Sequence, residues 1–286
     1  MITSVNCPHC GNNFPLSLQQ CPHCGQPGHF ANVIVASSEQ SFLQNRYNRA
    51  KRDAAARGVT ANVDDFEKAA TNSRAIINRS TSELSRLVGS DLEVYATYYH
   101  LSEGIRLQSG EEFDSLRQAA DSIFFTGYKE QIRFAALSLN STGLSNYGEC
   151  SWLLREDMIA HRASVFEENT TLYYMNNPIK GAKDVPEGYR AIWADRAKLC
   201  VAKLAAKIDT ATASAEYSNI LLHQGATSTE DEIVEVHILG SMTIRTIEEV
   251  SFNPVPTTIS KKEQISRRAT IESIKEKLRK YGVKVV

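Results

Sequence analysis

Residues 232 to 240 read Glu232-Ile233-Val234-Glu235-Val236-His237-Ile238-Leu239-Gly240. The apolar and β-branched run over 233–238 predicts a strand, and the glycine after it marks its end. Two acids and a histidine are carried on that strand. Glu235 is therefore either a residue of the strand's solvent face or a group held there for chemistry, with Glu232 as the fallback carboxylate. Working outward, 244–250 reads as a short strand with a turn, and 189–208 as a helix. Strands are expected at 94–101, 132–139, 150–154 and 163–166, a helix at 111–123, and a short turn or helix at 156–161. Short strands interrupted by single helices, without regular alternation, imply an α+β fold. Two helices are expected ahead of these strands. One ends near Ala56 before Gly58; the other runs over 63–88, where Phe66, Ala70, Ile77 and Leu84 form an apolar stripe. The stretch 261–281 reads as a basic amphipathic helix.

The chain has 286 residues, 42% of them hydrophobic and 23% charged, which is globular composition. No run reaches the roughly 18 apolar residues of a membrane span, and the first residues carry neither a basic region nor an apolar one typical of a secretory signal. Net charge is −1. Its distribution is uneven: residues 1–60 carry five Lys/Arg against two acids, and 261–286 carry nine against three. Basic ends on an acidic middle suit either nucleic-acid arms or solvated helix faces.

Four of the six cysteines fall in the first 24 residues, as Cys7-Pro-His-Cys10-Gly11 and Cys21-Pro-His-Cys24-Gly25. The spacing C-x2-C-x10-C-x2-C is that of two zinc knuckles. A tight turn aims two sulfurs at one metal, and the following glycine relieves the backbone strain. A hairpin in the ten-residue spacer, with Phe14 and Leu16, is expected to bring the knuckles together. So small a unit buries too little core to fold without its metal. Zn2+ on Cys7, Cys10, Cys21 and Cys24 is thus a structural ion. His9 and His23 are spacers, because four sulfurs close the tetrahedron. Metal-bound thiolates plus two isolated thiols, Cys150 and Cys200, indicate a reducing, cytoplasmic setting.

The chain lacks a P-loop, G-x-G-x-x-G, G-x-S-x-G and HExxH. Two further segments stand out: Tyr98-Tyr99-His100, and Gly143-Leu144-Ser145-Asn146-Tyr147-Gly148 with Arg162, Ser164, Phe166, Asn169 and Thr170 beyond it. Glu235 with Gly240 and Ile247-Glu248-Glu249-Val250 is similar to the late strand of the ADP-ribosyltransferase superfamily. Over about residues 90–254 the chain resembles bacterial toxin-type members of toxin–antitoxin or phage-defence systems. The resemblance implies a split-sheet α+β domain that uses NAD+ as substrate. Glu235 would then stabilise the charge developing on the ribose, since cleavage of the nicotinamide bond passes through an oxocarbenium-like state as glycoside cleavage does. His100 would bind the nicotinamide ribose, Tyr147 would stack on the nicotinamide, and Arg162 and Ser164 would support the site or the pyrophosphate. The readings that leave them outside a site are a buried, satisfied histidine, a turn aromatic and an arginine paired with a neighbouring carboxylate. His237 stands beside the glutamate in place of the Glu or Gln of many protein-modifying members, which points to other acceptors, nucleic-acid bases among them, RNA over DNA. A toxin of this kind implies a neutralising antitoxin protein.

The organisation expected is a zinc ribbon at 1–30, a helical linker at 31–89, a catalytic domain at 90–254 and a basic helix at 255–286. The rival reading is a non-enzymatic module that binds nucleic acid or protein through its ribbon, in which Arg49, Lys51 and Arg52 would contact phosphates.

Overall fold

The computed structural model describes residues 4–7, 10–15, 18, 20–25, 30–97, 99 and 111–286. Among them are ten α-helices, a two-stranded sheet near the N-terminus and one mixed sheet of eight strands. The fold is α+β, as the sequence implies.

In the small sheet, β1 (Ser4–Asn6) pairs antiparallel with β2 (Asn13–Pro15). The hairpin therefore encloses the first knuckle rather than lying within the spacer as expected; Leu16 is outside the described residues. The large sheet comprises β3 (Arg74–Arg79), β4 (Ile132–Ser138), β5 (Cys150–Leu154), β6 (Ala163–Phe166), β7 (Arg190–Ile192), β8 (Glu235–Leu239), β9 (Ile247–Phe252) and β10 (Lys284–Val285). Their order is β10-β9-β5-β3-β4-β8-β6-β7. Every pairing is antiparallel except β10 with β9.

Three segments differ from the sequence reading. The helix expected over 63–88 is helix Thr60–Thr71, strand β3 and helix Thr81–Leu87. The apolar stripe misled because Phe66, Ala70, Ile77 and Leu84 do share one core, but reach it from three elements. Ser80 opens the third element by accepting a hydrogen bond from the Glu83 N–H. β3 lies ahead of residue 90 yet sits between β4 and β5, so the sheet draws on the segment expected to be a linker. The helix expected over 189–208 begins as strand β7, passes through a 3-10 turn at Trp193–Asp195 and is α-helical only over Arg196–Leu204. Residues 93–97 form no strand.

Side chains alternate across the sheet with period two. Ala75, Ile77, Ala135, Leu137, Trp152, Val165, Val236, Ile238 and Val250 share one face, in a core with Leu43, Phe66, Leu199 and Leu204 from the covering helices. On the opposite face, helices Ala31–Ser38 and Glu111–Phe124 supply Ala31 and Phe124, and the turn after the latter supplies Phe125, to a second cluster with Ile132, Phe166 and Leu239. That face also carries the polar side chains Asn78, Ser164, Glu235 and His237, all buried. No helix among the described residues is long and apolar enough to cross a membrane.

Candidate functional site

Glu235 opens β8, opposite Ala136 of β4 and Phe166 of β6. It is 4% exposed, which removes the solvent-face reading. Its carboxylate is held by three donors at one oxygen. The Thr170 backbone N–H (3.0 Å), the Thr170 hydroxyl (2.9 Å) and His237 Nε2 (3.0 Å) all meet Oε2. Thr170 is the first residue of helix Thr170–Asn176, whose opening N–H groups have no intrahelical acceptor. Asn169 caps the same helix by accepting from the Thr171 and Leu172 N–H groups.

Glu235 lines a cavity of about 70 Å³ together with Asn78, Arg79, Arg117, Tyr147 and Asn169. The volume is well below the roughly 300 Å³ of a pocket that encloses a whole drug-sized ligand. Arg79, at the end of β3, donates to the Asn78 carbonyl (2.8 Å). Arg117 lies with its guanidinium carbon 4.5 Å from the Phe134 ring centre and its Nε 3.8 Å from Asp121 Oδ2. Burial pushes the Asp121 carboxyl up, and it accepts from the Tyr99 hydroxyl (2.9 Å). Asn78 accepts from the Leu144 N–H (2.9 Å) and donates to Ser151 (2.9 Å), which fixes the 143–148 turn against β3 and β5.

Tyr147 reaches the cavity from that turn, and burial, then the Asp231 and Glu235 carboxylates, push its hydroxyl up to about 12. Asn146 donates to Asp231 (3.0 Å), and the Ser145 N–H donates to Gln224 (2.8 Å), so the turn clasps the loop leading into β8.

Other sequence-predicted residues lie elsewhere. Arg162 is buried and donates to the carbonyls of Met158 (3.0 Å), Leu239 (2.9 Å) and Ser241 (2.9 Å); its guanidinium braces the backbone away from the cavity lining. Ser164 is paired across the sheet with His237 and accepts from Asn32 (3.1 Å), so it too lies outside the lining. Glu232 is ion-paired with Lys207 at the surface. His100 and Tyr98 lie outside the described residues. Of the cations of helix Gln40–Ala56, Arg46 pairs with Glu167 and Lys51 with Asp64 and Glu67, while Arg49 and Arg52 are exposed; Arg57, just beyond the helix, donates to the Ile208 and Ala205 carbonyls. Arg79 and Arg117 escaped the sequence reading. Arg79 was hidden in the expected 26-residue helix, and nothing local distinguishes Arg117 from a surface arginine.

The four N-terminal thiols form a second candidate site. Their sulfurs all lie within 4.8 Å of one another. Zinc–sulfur bonds of about 2.3 Å give a tetrahedron with edges of roughly 3.8 Å. Cys7–Cys24 and Cys10–Cys21 each stand at 3.6 Å, close to that edge and far from a disulfide. In both knuckles the glycine N–H donates to the first cysteine's carbonyl (2.8 Å), Gly11 at φ 73° and Gly25 at φ 68°. Phe14 is buried against Cys7 and Cys21, and His23 is exposed. The cluster fits a metal ion such as zinc. Cys150 and Cys200 are buried in the sheet's core, and burial pushes each thiol up to about 12.

No protein-family model matches the chain, and no curated protein matches it.

Proposed function

We propose that this protein is an NAD-dependent ADP-ribosyltransferase that modifies nucleic acid, RNA in preference to DNA, and acts as a toxin in a toxin–antitoxin or phage-defence system. The observation that carries the reading is Glu235: a buried carboxylate clamped at one oxygen while its residue lines a cavity. In the proposed reaction the bond from the nicotinamide nitrogen to ribose C1′ breaks, and its electron pair neutralises the pyridinium. Glu235 offsets the positive charge developing on the ribose. The acceptor then bonds to C1′ and loses its proton.

Arg79 and Arg117 flank the same cavity and replace Arg162 as the groups that would face the NAD+ phosphates. Tyr147 keeps its role as the ring against nicotinamide. A ribbon built on a structural zinc ion joins a protein whose C-terminal helix Lys261–Lys280 is anchored through Ile274 and Leu278, leaving Lys261, Lys262, Arg268, Arg279 and Lys280 exposed for a phosphate backbone. An antitoxin protein is the partner that such an activity requires.

Incubation of the purified protein and of Glu235→Gln with radiolabelled NAD+ and separate pools of RNA, DNA and cell protein tests the proposal. Wild type is expected to label RNA, and Glu235→Gln to lose at least 100-fold of that rate, on the order of an electrostatic catalytic group. Absence of label on every pool, with NAD+ unconsumed, would overturn it.

A further inference from the structure

Glu235 Oε2 receives three hydrogen bonds, and no described residue donates to Oε1. The carboxylate is thus divided: one oxygen belongs to the protein and the other is left for whatever enters the cavity. Two of the three donors belong to Thr170, at the rigid start of a helix. The third is His237, two residues further along β8 and therefore on the same face of the sheet.

His237 cannot meet a ligand directly. It is 3% exposed, and its ring is enclosed by Phe125 (4.7 Å between centres), Phe134 (5.7 Å) and Phe166 (6.4 Å, stacked). Phe134 lies directly opposite it on β4, and Asn32 donates to its backbone carbonyl (2.9 Å). A ring so confined has one orientation. A carboxylate oxygen only accepts, so Nε2 carries the proton shared with Glu235.

We propose that His237 is a positioning residue for Glu235: its Nε2–H holds Oε2 so that Oε1 is presented to the ribose in the cavity. This rests on the transferase reading of Glu235. The sequence pattern associates this position with the choice of acceptor; the geometry assigns it instead to the carboxylate. A glutamate has three side-chain torsions, and a catalytic group must be held within about 0.5 Å of its working position. Thr170 alone grips Oε2 from one side; the imidazole closes the clamp from the other. Loss of the histidine should lower the rate of the chemical step and leave ligand binding intact.

The test compares the full chain with His237→Phe, which retains the aromatic enclosure and removes the donor, and His237→Gln, whose amide restores a donor. For His237→Phe, kcat for NAD+ cleavage is expected to fall 10- to 100-fold with KM within twofold, and His237→Gln to recover part of the loss. An unchanged kcat in folded His237→Phe, or a change confined to KM, would overturn the proposal. A second arm needs no activity: 15N histidine spectra of wild type and Glu235→Gln. A protonated Nε2 in wild type whose resonance moves in Glu235→Gln supports the clamp, and a resonance indifferent to the substitution refutes it. If wild type leaves NAD+ intact, the transferase reading fails, while the spectra still decide whether His237 holds Glu235.

Discussion

The cysteine cluster and the Glu235 cavity collect their groups over different distances. Four thiols come together from residues 7 to 24, each pair delivered by one knuckle turn. The cavity assembles Arg79, Arg117, Tyr147 and Glu235 from the end of one strand, a helix, a turn and the start of another strand. Local geometry builds the first, whose four sulfurs fit a metal ion such as zinc. Global packing builds the second, and the apolar face of the sheet stabilises it. The two should therefore fail independently.

The largest expected effect is metal removal. Structural zinc in so small a unit contributes on the order of 10 kcal/mol to folding at neutral pH. A strong chelator should collapse the amide resonances of residues 4–7, 10–14 and 20–25 to unfolded positions while those of β3, β4 and β8 stay in place. Loss of the sheet resonances as well would show the two regions to be coupled.

Next is the core beneath the cavity. Trp152 is fully buried in β5 and meets Tyr95 edge-on at 5.5 Å. Trp152→Ala should cost about 3–5 kcal/mol in chemical denaturation and leave zinc stoichiometry unchanged. The Trp152 indole N–H has no hydrogen-bond partner among the described residues. Trp152→Phe, which gives up that buried donor, should accordingly cost much less than the alanine.

The smallest effect is an expected silence. Thiols raised to about 12 are almost wholly protonated at pH 8, and only the thiolate is alkylated. In native protein under chelator, iodoacetamide at pH 8 should modify Cys7, Cys10, Cys21 and Cys24 and spare Cys150 and Cys200. Modification of either buried thiol without denaturant would mean that the sheet opens when the ribbon does.

The same contrast governs what could be read in advance. Strands β5 and β6, the 111–124 helix and the C-terminal helix are close to the sequence reading, since each is a short run with its own boundary signals. β3 is missed because a strand buried on both faces has no alternation to display, and its Ile77 falls into helical register with Phe66 and Leu84. β7 was absorbed into the helix that follows it for the same reason. Within the cavity, Glu235 and Tyr147 were singled out from their strand and turn. The resemblance places Arg162 and Ser164 beside them, yet Arg162 braces the carbonyl of Leu239 in β8 and Ser164 accepts from the Asn32 side chain of the helix Ala31–Ser38.

Sequence by itself determined the four-cysteine cluster, the α+β class and the carboxylate on β8, because knuckle spacing, strand composition and turn residues act over a few positions. Only the tertiary structure decided that β3 is central, that Arg79 and Arg117 rather than Arg162 border the cavity, and that His237 faces Glu235 and not a ligand. Those outcomes depend on which strands pair and in which register, and a shift of one residue in β8 would send Glu235 and His237 to the opposite face of the sheet.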